Sequence, residues 1–117
     1  MNNQFITYLQ NRFHFFNNTY FEIEDGWFEI IKDMALELND VVDKNFKIFE
    51  IKQKYGSMRI TTFSDYNKQA EDICNKYEIK SQDICEFCGI YGEQKTCNNW
   101  VYCICSHCEN KIRRIEQ

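Results

Sequence analysis

The chain has 117 residues, enough for one domain with a small appendage and too few for two full-sized ones. Fourteen Lys and Arg against eighteen Asp and Glu leave a net charge of −4, too mild for a DNA mimic and too acidic for a histone-like binder. With 44% hydrophobic and 16% aromatic residues a real core can form, which excludes disorder for most of the chain.

Proline is absent, so boundaries rest on glycine, asparagine and changes of period. Phe5, Ile6, Leu9, Phe13 and Phe16 recur at near-helical spacing and predict a helix from Phe5 to Tyr20, broken at Asn17-Asn18. Phe21 to Glu24 alternates apolar and acidic residues, as a short strand or lead-in would, and Asp25 is placed to cap the next helix. From Trp27 onward, Ile30, Ile31, Met34, Ala35, Leu38, Val41 and Val42 form one apolar stripe, the clearest helical signal in the chain. The outer face of that helix carries Glu29, Asp33, Glu37 and Asp40 against Lys32. Such a face is either simply solvated or a docking surface for a basic partner.

The period changes to two over Phe46–Gln53 and again over Met58–Phe63, with Tyr55-Gly56-Ser57 between, which predicts a β-hairpin. Lys44, Lys47, Lys52, Lys54 and Arg59 against Glu50 make this stretch basic in an acidic chain. Lysines so placed protect an exposed strand edge or track phosphates. Ser64 then reads as the cap of a further helix with Tyr66, Ala70, Ile73, Cys74 and Tyr77 inward, ending near Lys80-Ser81; Cys74 is a core thiol on that face. Trp100 to Ile104 reads as a strand after the Asn98-Asn99 turn, and Glu109 to Glu116 as a short terminal helix carrying Lys111, Arg113 and Arg114. The whole reads as an α+β fold: amphipathic helices on a small antiparallel sheet over 1–80, and a zinc-ribbon module over 81–117 packed with it as one unit.

Seven cysteines, an odd number, suit metal ligation better than a complete disulfide framework. Cys85-x2-Cys88-Gly89, sixteen intervening residues, and Cys105-x2-Cys108 match a four-thiolate zinc site. Two intervening residues let a tight turn aim both sulfurs at one ion, and Gly89 supplies the left-handed residue that closes such a turn. Four thiolates leave no open position, so the Zn2+ is expected to be structural. Competing ligand sets draw on Cys97, Cys103 or His107. Trp100 and Tyr102 either cover the metal or stack bases.

Gly26-Trp27-Phe28, Ile51-Lys52-Gln53-Lys54-Tyr55-Gly56-Ser57-Met58-Arg59, Cys85-Glu86-Phe87-Cys88-Gly89, Trp100 and Cys105-x2-Cys108 together resemble a group of small phage and prophage proteins of unassigned activity. In that group the middle motif is roughly I-K-x-K-[FY]-G-x-[LM]-R and the final ligand is often His, where this chain has Cys108. The likeness covers Phe21 to Cys108. It implies a phage context and a zinc-bearing α+β fold. From that context, small phage proteins being frequent counter-defence factors, follows the expectation of an anti-CRISPR inhibitor acting on a bacterial nucleic-acid-targeting effector, an RNA-targeting one included.

No enzyme is expected: the metal site reads as closed, no glycine-rich phosphate loop occurs, and His14 and His107 are the only histidines. Two binding readings follow. In one, the acidic helix with Glu29, Asp33 and Glu37 docks on an effector protein or ribonucleoprotein. In the other, Lys47, Lys52, Lys54, Arg59, Arg113 and Arg114 hold RNA or DNA phosphates while Trp100 or Tyr102 stacks a base. With no run of about 18 apolar residues and no basic or apolar leader at Met1-Asn2-Asn3-Gln4, the sequence predicts a soluble, cytoplasmic protein without a membrane partner.

Overall fold

The computed structural model describes residues 1–63 and 66–115. Helix α1 (Asn3–Arg12) starts at Asn2, whose side-chain oxygen accepts the Gln4 N–H at 2.7 Å. It does not run to Tyr20. Phe13 turns extended and a single 3₁₀ turn, His14–Phe16, follows. The break lets Phe13, Phe15 and Phe16 all be buried, whereas residues two apart on a continuous helix would point about 200° apart. Tyr20–Glu22 is instead strand β1.

Asp25 does not cap its own helix. It opens a 3₁₀ turn, Asp25–Trp27, and its carboxylate accepts the Asn2 N–H at 2.6 Å, tying the start of α1 to that of α2 (Phe28–Asn39). Helix α2 buries Ile30, Ile31, Met34, Ala35 and Leu38, as the periodicity predicts, while Val41 and Val42 lie in the following turn and donate to Leu38 O.

Strands β2 (Lys47–Lys54) and β3 (Ser57–Phe63) form the predicted hairpin. Its turn residues Tyr55 and Gly56 have φ of 55° and 74°, the left-handed pair that matches strand twist in a two-residue loop. Strand β1, overlapping the short strand or lead-in expected over Phe21–Glu24, joins β2 in parallel, giving a mixed sheet of order β1-β2-β3 where a small antiparallel sheet is expected. Lys52 therefore sits where β2 is flanked on both sides and edge protection does not account for it, whereas Lys47 and Lys54 lie beyond the three residues that β1 covers. Pairing skips Phe49, a β-bulge that lets Ile48 and Ile51 both face inward.

Helix α3 (Lys68–Lys80) is capped by Asn67, which accepts the Ala70 N–H at 3.1 Å; the predicted cap, Ser64, lies outside the described residues. Ala70, Cys74 and Tyr77 are buried, but Tyr66 precedes the helix and is exposed. A second hairpin, β4 (Glu93–Cys97) and β5 (Trp100–Ile104), turns at Asn98-Asn99, both at positive φ. Only β5 is predicted from sequence. Helix α4 (Ser106–Ile115) begins three residues before the predicted start, and Glu116 lies outside the described residues.

The larger core gathers Leu9, Phe15, Phe16, Trp27, Ile31 and Ile51 among others, and also takes in Cys103, with Ile84 packed against it. A smaller cluster of Cys85, Ile104, Cys105 and Cys108 is flanked by Phe87, Tyr102 and Ile112. No helix among the described residues is long and apolar enough to cross a membrane.

Candidate metal centre

The sulfurs of Cys85, Cys88, Cys105 and Cys108 all lie within 4.8 Å of one another. Cys88 Sγ and Cys105 Sγ are 3.6 Å apart. A disulfide needs about 2.05 Å, whereas sulfurs at about 2.3 Å from a tetrahedral ion stand roughly 3.8 Å from each other. The cluster has the dimensions of a cation site. All seven cysteines are free thiols, and among the described residues these four alone converge.

Two different local structures aim the two pairs. In the first, Cys85 N–H donates to Ile90 O at 2.6 Å and Gly89 N–H returns to Cys85 O at 2.9 Å, with Gly89 at φ 84°. In the second, the ligand loop is the first turn of α4: Cys108 N–H donates to Cys105 Sγ at 3.4 Å, and Glu109 N–H to Cys105 O at 2.9 Å. Unpaired N–H groups at a helix start favour thiolate over thiol. Burial opposes ionisation of Cys105, yet the Cys108 N–H and the neighbouring thiols draw it down to about 7. Burial and the neighbouring sulfurs push Cys88 and Cys108 up. The Cys105 thiolate forms readily while Cys88 and Cys108 resist, a conflict that a divalent cation relieves by holding the ligands as anions.

The first pair is clamped onto the rest of the molecule. Gly26 N–H donates to Glu86 O at 2.8 Å, and Trp27 Nε1 donates to Ile84 O at 2.8 Å. A Cβ on Gly26 would stand 2.2 Å from Cys85 O, so only glycine fits there. Glu86, between two ligands, is buried. Its Oε2 accepts the Cys103 N–H and the Gln53 side-chain amide, each at 3.0 Å, while its own N–H donates to Cys103 O at 3.0 Å. Burial pushes this carboxyl up to about 7, against those hydrogen bonds. Neither role is legible in the motifs: a glutamate inside a Cys-x2-Cys loop reads as solvent-facing, and Gly26 reads as a turn.

The alternative ligands lie elsewhere. Cys103 Sγ donates to Gln82 O at 3.2 Å, and burial followed by the Glu86 charge raises its pKa to about 12. Cys97 is buried at the end of β4, and His107 is exposed on α4.

The predicted binding residues scatter over three surfaces. Lys47, Lys52, Lys54 and Arg59 lie on the hairpin; Lys52 reaches Glu50 at 3.4 Å, and Lys54 lies 5.7 Å from the Tyr55 ring centre. Trp100 remains half exposed, donating from Nε1 to Gln53 Oε1 at 3.2 Å, but Tyr102 is half-buried against Phe87. Arg113 is held by Glu109 at 3.0 Å, a residue also paired with Lys95, while Arg114 is exposed. On α2, Glu29 pairs with Lys32 at 2.9 Å and Asp33 is exposed. Glu37 is drawn inward to Lys76, at 2.5 Å, and to the Tyr77 hydroxyl.

The fold and this centre define an α+β protein with a four-cysteine cluster that could hold a metal ion, consistent with zinc. Compared with known protein families, curated proteins and solved structures, the chain matches none.

Proposed function

We propose that the chain is a non-catalytic binding protein stabilised by structural Zn2+ on Cys85, Cys88, Cys105 and Cys108. The observation that carries this reading is the convergence of four protein thiols, which fills a tetrahedral ion and leaves no position for water or substrate. Its consequence is stability: structural zinc contributes about 10–16 kcal/mol in small peptides, comparable to a whole domain's net stability. A cleft of about 450 Å³ between α3 and β3 has Cys74 on its wall, but burial raises that thiol to about 12 and it is no nucleophile at neutral pH.

The partner surface is the outer face of α2. Glu29, Asp33 and Asp40 flank the exposed Leu36 there, an acidic stripe with an apolar centre suited to a basic channel. The phage-type motifs support the further reading that this partner is a bacterial nucleic-acid-targeting effector, protein or ribonucleoprotein, and that the chain is a counter-defence inhibitor of the anti-CRISPR kind working in the host cytoplasm. The test is affinity purification from bacterial lysate with wild type and with an Asp33→Lys, Asp40→Lys variant. Enrichment of effector subunits by wild type and their loss with the variant supports the reading; equal recovery by both overturns the α2 surface.

A further inference from the structure

Ile48, Ile51 and Met58 turn one face of the three-stranded sheet into the core. The opposite face is open. Three aromatic side chains stand on it: Tyr20 at 60% exposure, Phe49 at 52% and Phe63 at 62%, with the Phe49 and Phe63 rings 5.3 Å apart. The bulge at Phe49 turns that ring outward, next to its partner on β3. Aromatic rings paired in water on an open sheet face offer a contact site.

Cations are interleaved with these rings. Lys47 is registered opposite Phe63, Lys52 opposite Arg59, and Lys54 opposite Ser57. Lys52 is compensated by Glu50 at 3.4 Å and by Glu22 in register on β1. Among the described residues neither Lys47 nor Arg59 has a carboxylate partner. Like charges opposed across a ladder cost stability, so the Lys52 and Arg59 pair brings the sheet no structural return. The face sums to +2 from four cations and two carboxylates on a chain of −4.

We infer that this open face binds single-stranded RNA, its phosphates on Lys47, Lys54 and Arg59 and its bases stacked on Phe49, Phe63 and Tyr20. Exposed rings on a sheet face take splayed bases and cannot reach those stacked inside a duplex. The register row Tyr20, Glu50, Thr61 adds carboxylate and hydroxyl acceptors between the rings, partners for the ribose 2′-hydroxyl that DNA lacks. This surface is separate from the acidic face of α2, so it extends the proposed function and does not depend on it.

The test is fluorescence anisotropy of a labelled oligouridine, the matching oligothymidine and an RNA duplex, each titrated with the zinc-loaded full chain. RNA single strand binds most tightly, and about three phosphate contacts make its affinity fall about 20-fold between 50 and 200 mM salt. Phe49→Ala with Phe63→Ala lowers affinity at least about tenfold at unchanged melting temperature. Should that pair fail to fold, Tyr20→Ala, on strand β1 of the same face, carries the same expectation. Lys47→Gln with Arg59→Gln flattens the salt dependence. Undiminished binding by the aromatic variants, equal or tighter binding of DNA or duplex, or no binding at 50 mM salt overturns the inference. Asp33→Lys with Asp40→Lys retains the RNA binding, which keeps failure here distinct from failure of the α2 surface.

Discussion

Gly26→Ala is the sharpest perturbation of the joint between the metal centre and the core. An added Cβ would meet Cys85 O at 2.2 Å and the Glu86 carbonyl carbon at 2.5 Å, both backbone atoms of the first ligand loop. Relief to an ordinary carbon–oxygen separation requires that loop to retreat by about 1 Å. The retreat lengthens the Gly26 N–H to Glu86 O bond from 2.8 Å and pulls Ile84 O from Trp27 Nε1. Overpacking costs about 1–3 kcal/mol and the strained hydrogen bonds about 1 kcal/mol more, together about 2–4 kcal/mol. In a chain of this size that lowers the melting temperature by about 10 °C. Thermal unfolding followed by circular dichroism reads it, with and without a strong zinc chelator. The difference between variant and wild type shrinks in chelator, because a loop without its ion yields at little cost. A variant melting within about 2 °C of wild type, with metal bound, would refute the clamp.

Elemental analysis of the purified protein gives about one zinc per chain, and Cys88→Ser abolishes it; zinc retained at full stoichiometry by that variant would overturn the ligand set. Glu86→Ala strips acceptors from the Cys103 N–H and the Gln53 amide and costs about 2–4 kcal/mol in denaturant unfolding, while Glu86→Gln, which keeps one acceptor oxygen, costs less. Cys74 supplies a pH dependence: burial lifts its pKa from the ordinary 9.0 to about 12, so its contribution is complete below pH 9 and fades as pH climbs from 9 toward 12. Over that window wild type loses up to about 1.4 kcal/mol per pH unit more than Cys74→Ala, and parallel stability curves for the two would contradict the burial. Hydrogen bonds from Lys76 and Tyr77 hold Glu37 below its ordinary value, so its contribution is present above pH 4.5 and is lost as pH falls through the lowered value; Glu37→Gln removes that acid dependence, and an unchanged acid limb would speak against it.

What the sequence discloses follows the range of the interaction that fixes each part. The apolar stripe of α2 and the alternation of β2 and β3 are local patterns, and both elements form where those patterns place them. The Cys-x2-Cys pairs are equally local, and their convergence needs only that two loops meet. Elements decided at long range escape. The end of α1 is set by Phe13, Phe15 and Phe16 entering a core made by residues far along the chain, and the choice between strand and lead-in near Phe21 is made by β2, some thirty residues on, which accepts β1 in parallel. Strand β4, Glu93-Gln94-Lys95-Thr96-Cys97, has almost no apolar pattern and forms against β5 across Asn98-Asn99. Glu37 illustrates the same limit: its helical position marks it as solvent-facing, and only the approach of α3 turns it toward Lys76 and Tyr77.

Sequence order already groups the charges by segment, and folding assigns each group to a surface. Acidic residues at positions 29, 33 and 40 collect along α2 and its C-cap, while Lys47, Lys54 and Arg59, without a carboxylate partner among the described residues, collect on the open side of the sheet. A modest −4 thus divides into two surfaces of opposite sign on one small body. A partner that itself holds RNA presents both complements, a basic protein channel and an anionic strand. If one such complex engages both surfaces, their contributions combine through effective concentration, and weak affinity at each yields tight capture overall. The signature is the affinity for the intact assembly: wild type captures a ribonucleoprotein far more tightly than it binds the separated protein or RNA, and Asp33→Lys with Asp40→Lys, or Phe49→Ala with Phe63→Ala, cuts that capture to about the affinity of the one face left. Capture of the intact complex no tighter than binding of its better separated component would show that the two faces act independently.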